Sequence, residues 1–378
     1  MKDELFDIAI IGGGLAGLTL AIQCADKGYR TILFEKESYP FHKVCGEYIS
    51  MESKPFLQGL GVPFDEWNLP VINKLVVSDA GGKTYDFTLP LGGFGISRYT
   101  LDNTLYQIAL QRGVVIFTQT KVSDVKFEEW RFCIQSTAGI FYAKLAAGSY
   151  GKRSNLDIKW NRPFAQQKAG KLNNYIGIKY HIRYPQPADL IALHNFKNGY
   201  CGISAIEDGA YCLCYLTTAQ NLQDNKNNIA AMEQQLLQQN PQLQKIFSEA
   251  VFLFQQPLAI SQVSFAKKSQ VEEHMLMVGD AAGMITPLCG NGMSMAIHGS
   301  KLAFEQVDSF LQGHASREEM ETNYALAWKK QFSKRVSIGR MVQRLFGGNK
   351  STALFFNIMH KVPALARIVI KSTHGQPF

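Results

Sequence analysis

The sequence lacks most of the signals that mark a membrane-spanning, disulfide-bonded or zinc-binding protein. Its seven cysteines (Cys24, Cys45, Cys133, Cys201, Cys212, Cys214 and Cys289) are an odd number without a CxxC pair. Reduced thiols are therefore expected, with no disulfide framework and no metal site. No stretch approaches the ~20 apolar residues of a membrane span; the most apolar late segment, Ala353–Ile370, is broken by His360, Lys361 and Arg367. Met1–Leu5 leads straight into an apolar strand without the pattern of a cleavable signal. A cytoplasmic protein, at most peripheral to a membrane, is expected.

Acidic residues also run out: none follows Glu321. Ten basic residues lie between Lys329 and Lys371, so a chain of net charge +8 sums to −2 over the remainder. Basic residues alternating with Leu, Phe, Ile and Val predict an amphipathic helical tail. Such a tail suits an anionic membrane surface, an acidic acyl carrier or a phosphate group, or is simply a solvated helix face. Nucleic acid is not an expected partner, because no recognition motif accompanies the charge.

What is present is an ordinary globular composition, 46% hydrophobic and 19% charged over 378 residues. That is enough to bury a core without staples, in one large domain or two that share a site. Phe6–Ile11 reads as a buried strand, Leu15–Lys27 as a helix and Thr31–Phe34 as a second strand, a parallel α/β unit. Short alternating runs from Val71 to Ser97 carry a hairpin signal at Asp79–Gly82. A helix over Thr100–Gln111 and strands at Val114–Phe117, Val122–Phe127, Phe132–Ser136 and Phe141–Ala146 return to the first layer. Tyr175–Phe265 reads mainly as antiparallel strands with a polar helix pair near Asn225–Glu249. Met275–Val278 is another buried strand, and the chain from Gly292 is mostly helical.

Gly12-Gly13-Gly14-Leu15-Ala16-Gly17 fits GxGxxG, directly after a strand and opening a helix. Gly12 permits the tight turn, Gly14 lets backbone approach a diphosphate, and Gly17 lets helix and strand pack closely. The helix N-terminus points free N–H groups at the phosphates. Glu35 ends the second strand, where a carboxylate accepts hydrogen bonds from a ribose diol. This turn alone leaves NAD and FAD open.

Met277-Val278-Gly279-Asp280-Ala281-Ala282-Gly283 again follows a strand and leads through Pro287 into Gly290-Asn291-Gly292-Met293 and a helix. With these strings the sequence resembles the FAD-dependent group of aromatic hydroxylases, geranylgeranyl reductases and flavin-dependent halogenases. The resemblance implies that Asp280 meets the ribityl chain of FAD and that Gly290–Met293 lie beside the pyrimidine end of the flavin. Ser97-Arg98-Tyr99-Thr100-Leu101-Asp102 looks like the group's Arg-x-x-Leu-Asp segment, with Arg98 on the cofactor. Lys43-Val44-Cys45-Gly46-Glu47 resembles the reductase branch's Cys-Gly loop, placing Cys45 near the flavin ring and Lys43 near the phosphates. The cofactor-binding set so implied also takes in Leu15, Ala16, Lys36 and Val122. Cys45 and Glu47 are the candidate catalytic residues, with Tyr48 and His42 as further acid–base candidates. Core packing for Cys45 and a surface ion pair for Arg98 are the plain alternatives.

The expected fold is α/β: a Rossmann-like FAD-binding domain with a parallel sheet, an inserted antiparallel-sheet substrate domain and a helical C-terminal tail. Cofactor-binding pieces are expected at 1–70, 99–155 and 269–315, substrate pieces at 71–98 and 156–268, and the basic helical region at 316–378. One departure from the hydroxylases is Tyr150, which stands where their Ala/Ser-Asp-Gly motif has its aspartate. The Trp-x-Trp-x-Ile-Pro string of tryptophan-type halogenases and a second GxGxxG are absent too. The first functional expectation is geranylgeranyl-reductase-like hydride transfer to or from a carbon–carbon double bond of a hydrophobic small molecule. NAD(P)H is a candidate transient electron donor. Phe87, Phe94, Tyr175, Tyr200, Tyr211 and Phe265 are candidate pocket aromatics. The alternatives are an FAD-dependent monooxygenase acting on an aromatic or polyketide-like ring, and a non-catalytic flavin-binding partner of a carrier protein.

Overall fold

The computed structural model describes residues 4–166, 174–286, 290–345 and 350–378. Pro287 and Cys289 of the sequence reading lie outside them. The strand Leu5–Ile11 is apolar on both faces because it is the middle of a sheet covered on both sides. The strands Thr31–Phe34 and Gly139–Gly148 flank it in parallel, with Ile11 opposite both Phe34 and Gly148. Val115–Phe117 extends the sheet on one side and Met275–Met277 on the other, also in parallel. The strand order thus reverses at Leu5–Ile11, where ligands of such sheets bind beyond the strand ends.

Those strand ends finish level. Gly12 donates its N–H to the Phe34 carbonyl at 2.8 Å, and Ser149 to that of Ile11 at 2.8 Å. Val278 does the same to Gly148 at 2.9 Å. Gly12, Ser149 and Gly279 therefore start their turns along one edge. The helix Leu15–Asp26 packs behind that edge with Leu18, Leu20 and Ile22 fully buried. Truncating any of these three to alanine costs about 2–5 kcal/mol.

The second sheet runs, in spatial order, through Val251–Phe252, Tyr175–Arg183, Tyr211–Thr218, Gly199–Ala205, Leu190–Phe196, Val71–Ser78, Thr84–Gly95 and Tyr48–Ser50. Leu258–Val263 pairs beside Tyr175–Arg183. Its pairs are antiparallel except that Val71–Ser78 and Leu190–Phe196 run parallel. The exception follows from topology: the chain builds much of the first sheet between these two strands, and so returns by a long crossover. One face carries Ile176, Ile178, Ile203 and Leu213 under the helices Ile229–Gln235 and Pro241–Glu249. The other face meets the C-terminal helices Arg317–Leu345, Lys350–Lys361 and Pro363–Thr373. The helix expected from Thr100 starts at Arg98, because Ser97 caps it by accepting the Thr100 N–H at 3.1 Å.

Candidate functional site

The first turn has the space its residues imply. Gly12 sits at φ +107°, and a side chain there would lie 2.6 Å from the Ser149 carbonyl oxygen. A Cβ on Gly17 would fall on the Gly12 carbonyl. Gly14 differs: its open side faces Arg98 Nη2 at 3.7 Å and Lys43 Nζ at 3.9 Å, measured from an ideal Cβ. The helix behind Gly14 has no side-chain cap, so its first N–H groups point the same way. Bare backbone, a helix N-terminus and two cations together make a cradle of diphosphate chemistry. Glu35 is buried and accepts the Gly13 N–H at 2.8 Å and the Glu37 N–H at 3.1 Å. Each of its oxygens keeps acceptor capacity for a diol. Tyr39, which the motif did not flag, donates its hydroxyl to Gly13 O and stacks on Tyr106 at 4.4 Å.

Asp102 orders the two cations. Arg98 grips it through Nε and Nη2, both at 2.6 Å, and Lys43 reaches it at 3.0 Å. Burial opposes the Asp102 charge, yet Arg98 and Lys43 hold its carboxyl below the usual range. Glu207 fastens the same helix start by accepting from the Ser97 N–H and from the Ser97 and Thr100 hydroxyls.

The second turn closes against the first. Gly279, at φ +65°, leaves little room for a side chain, since an ideal Cβ there lies 3.0 Å from the Ala16 Cβ. The helix Gly292–Leu311 lies along Leu15–Asp26, joined by a buried Thr19–Ser300 hydroxyl pair at 2.7 Å. Burial pushes the Asp280 carboxyl up, while Lys268, Arg98 and Lys152 pull it down. Lys268 donates to the carbonyls of Lys152 and Asp280, each at 2.7 Å. Burial brings the Lys152 and Lys268 ammonium groups down to about 8. Gly290 faces the Tyr48 ring, 3.0 Å from an ideal Cβ. Asn291, fully buried, and then Gly292 and Met293 open the helix without a side-chain cap. Leu15 and Val122 are buried in the main core, whereas Lys36 is exposed and 3.7 Å from Glu37.

Cys45 and Glu47 come together with residues that no motif indicated. Glu47, at φ +54° and fully buried, accepts from Lys179 Nζ at 2.5 Å, His181 Nε2 at 2.6 Å and the Arg98 N–H at 2.7 Å. Burial opposes its charge, but His181 and Lys179 hold the carboxylate below its ordinary pKa. Glu47 is therefore an ionised anchor between the cofactor loop and the second sheet, already saturated with donors. Burial pushes the Cys45 thiol up, and Cys212 donates to the Cys45 carbonyl at 3.1 Å. His42 stacks on Tyr99 at 4.6 Å and meets Phe254 in a tilted contact at 4.9 Å, and burial lowers its pKa. Glu47, His181 and Cys212 place ligand-type atoms within 4.8 Å of one another. The Lys179 ammonium already balances that carboxylate and burial keeps Cys212 protonated, so the set favours hydrogen bonds over a metal.

At the departure from the hydroxylase pattern, Tyr150 gives its hydroxyl to Asp157 at 2.8 Å. Asp157 is fully buried and paired with Arg162 at 2.7 Å, and Arg162 also donates to the Ala281 carbonyl at 3.2 Å. Tyr150, Asp157 and Arg162 thus form a buried strut from the end of the strand Gly139–Gly148 to the second turn. The candidate aromatics split. Tyr175, Tyr200 and Phe265 gather near Met284 and Val342, but Phe94 joins the main core, Phe87 a small outer cluster, and Tyr211 packs under the Ile229–Gln235 side. Composition could not separate them, because adjacent strand residues face opposite ways.

Comparison with known proteins agrees with this geometry. The family described as FAD binding domain matches residues 7–42. Conditioned medium factor receptor 1 of Dictyostelium discoideum is 24% identical over 91% of this chain and 71% of its own length. A digeranylgeranylglycerophospholipid reductase of Methanococcus vannielii is 24% identical over 88% of this chain and 84% of its own. The structure of a flavin-dependent brominase superposes with a TM-score of 0.80 at 18% identity, covering 98% of this chain and 93% of that one. Two glycine turns on one strand edge, a matched FAD-binding domain at residues 7–42 and a shared fold make this chain similar to FAD-dependent oxidoreductases.

Proposed function

We propose that the chain transfers hydride to or from a carbon–carbon double bond of a hydrophobic small molecule. The observation that carries this reading is Tyr48. Its ring lies against Gly290 and Gly93, at the turn assigned to the flavin ring. Around it is an apolar seam of Ile72, Leu89, Leu75, Ile191 and Ile370. Its buried hydroxyl has no hydrogen-bond partner among the described residues.

Gly14, Arg98 and Lys43 would hold the diphosphate of FAD, Glu35 the ribose and Asp280 the ribityl chain. The uncapped N–H groups after Gly290 would face the ring. FAD supplies the two-electron carrier; NAD(P)H is the proposed transient donor. The protein excludes water along the seam and keeps one proton at Tyr48 Oη, where burial, then Glu52, push the phenol up. An apolar seam with a single protonated phenol suits an alkene better than a charged substrate. The reductase relative supports this reading, and Tyr150 in the place of the hydroxylases' aspartate argues against their cycle.

Oxygen-dependent halogenation or hydroxylation in the same seam is the second reading, favoured by the likeness to the brominase structure. Anaerobic mixing of the yellow protein with NADH or NADPH, then with a polyprenyl lipid, separates the two. Bleaching followed by colour return matched to double-bond saturation, slowed in Tyr48→Phe at unchanged FAD content, is the expected result. A halogenated or hydroxylated product formed only in air overturns the hydride reading. Absence of bleaching points to another donor or to a flavin-binding partner without turnover.

A further inference from the structure

The two C-terminal helices are apolar on both sides. Inward, Phe356 and Met359 are buried, with the Phe356 ring 5.8 Å from Tyr85, and Ile370 packs on the seam around Tyr48. Outward, Leu354 is 61% exposed, Ile358 44%, Val362 46%, Leu365 38% and Ile368 62%. Leu354 and Ile358 are one turn apart on the first helix, and Leu365 and Ile368 on the second, so each helix carries an outer stripe. Lys361, Arg367 and Lys371 are exposed on the same pair.

We propose that this helix pair docks the protein on an anionic bilayer surface. Scattered exposed aliphatic residues need no explanation, but four on two short helices and Val362 at their joint, without one acidic residue, do. With 12 and 11 residues, and a bend of 114° between them, the helices are too short and too folded to cross a bilayer in line. Lying in the interface, they set aliphatic side chains among acyl chains and cations among lipid phosphates. Charge decides the occupant. A second copy of this chain would bring the same excess of cations to the contact, whereas anionic lipid complements both features. Lys329, Lys330 and Lys334 continue the exposed charge along the preceding helix.

The test is co-sedimentation of the full flavin-loaded chain with vesicles of phosphatidylcholine alone or of equal parts phosphatidylcholine and phosphatidylglycerol. Binding is expected to the anionic vesicles and to weaken with salt. Leu354→Glu with Ile368→Glu should lower partitioning at least about tenfold, at unchanged Tm and FAD content. Lys361→Gln and Lys371→Gln should each lower it about fivefold. No binding, equal binding to both vesicle types, or binding indifferent to the double glutamate variant overturns the proposal. So does retention on an acidic acyl-carrier protein with no vesicle binding. Sedimentation reads docking whatever the redox outcome, so failure of the proposed chemistry remains a separate result.

Discussion

Ala16 and Gly279 meet where the two glycine turns touch: a Cβ on Gly279 would stand 3.0 Å from that of Ala16. The contact joins the first strand–helix unit to the last third of the chain and sets the spacing of the crevice. Gly279→Ala adds a methyl at this contact and forces a non-glycine residue to φ +65°, at a cost of about 1–2 kcal/mol for the backbone alone. A lower Tm together with weaker FAD retention is the expected pair of effects. A fall in Tm at full retention would show that the turns close without shaping the cofactor site.

Glu47 predicts an effect of opposite sign for single and double changes. Glu47→Gln leaves Lys179 buried with a weaker acceptor, and losing one partner of a buried pair costs about 3–5 kcal/mol. Adding Lys179→Met removes the stranded charge and should restore much of that loss in urea unfolding. Equal instability of the single and double variants would contradict the ion-pair account.

Acid should destabilise the fold through His194. This buried imidazole, bonded through Nδ1 to Ser78 Oγ at 2.9 Å, is brought by burial from 6.5 to about 4. Between those values the unfolded chain binds the proton and the native chain does not. Stability is therefore full above pH 6.5 and falls as pH drops toward 4. His194→Asn should flatten this part of the Tm–pH curve; an unchanged slope would assign the effect to other groups.

Cys45 should be a slow thiol. Burial raises its pKa, with Arg98 opposing the shift, and the adjacent Cys212 is raised too. Alkylation of Cys45 by iodoacetamide at pH 8, read by peptide mass, should await unfolding in urea. Rapid native labelling would show an activated thiolate.

The legible part of this protein was what backbone chemistry dictates locally. Gly12, Gly14 and Gly17 follow a strand; Gly12 and Gly17 each answer a steric demand that the structure contains, and Gly14 leaves open space facing Arg98 and Lys43. Gly279-Asp280 was legible for the same reason. Lys179, His181, Asp157, Arg162 and Glu207 were not, because each is polar in a stretch where nothing local separates a buried partner from a solvated side chain. Strand alternation put Lys179 and His181 on the face of Tyr175–Arg183 that meets Glu47, but their pairing needed the register of a second sheet. The parallel pairing of Val71–Ser78 with Leu190–Phe196 was hidden likewise, since sequence shows strands and not their neighbours.

The central claim is that one FAD spans both turns, its diphosphate on Gly14 between Arg98 and Lys43. Fluorescence titration of flavin-free protein with FAD tests it most directly, alongside FMN and the Gly14→Val variant. The account predicts one FAD bound per chain, much weaker FMN, and a variant that folds normally but binds FAD about 10–100-fold more weakly, as expected for lost hydrogen bonds to a charged group. Equal affinity for FAD and FMN, or full FAD affinity in Gly14→Val, would contradict it.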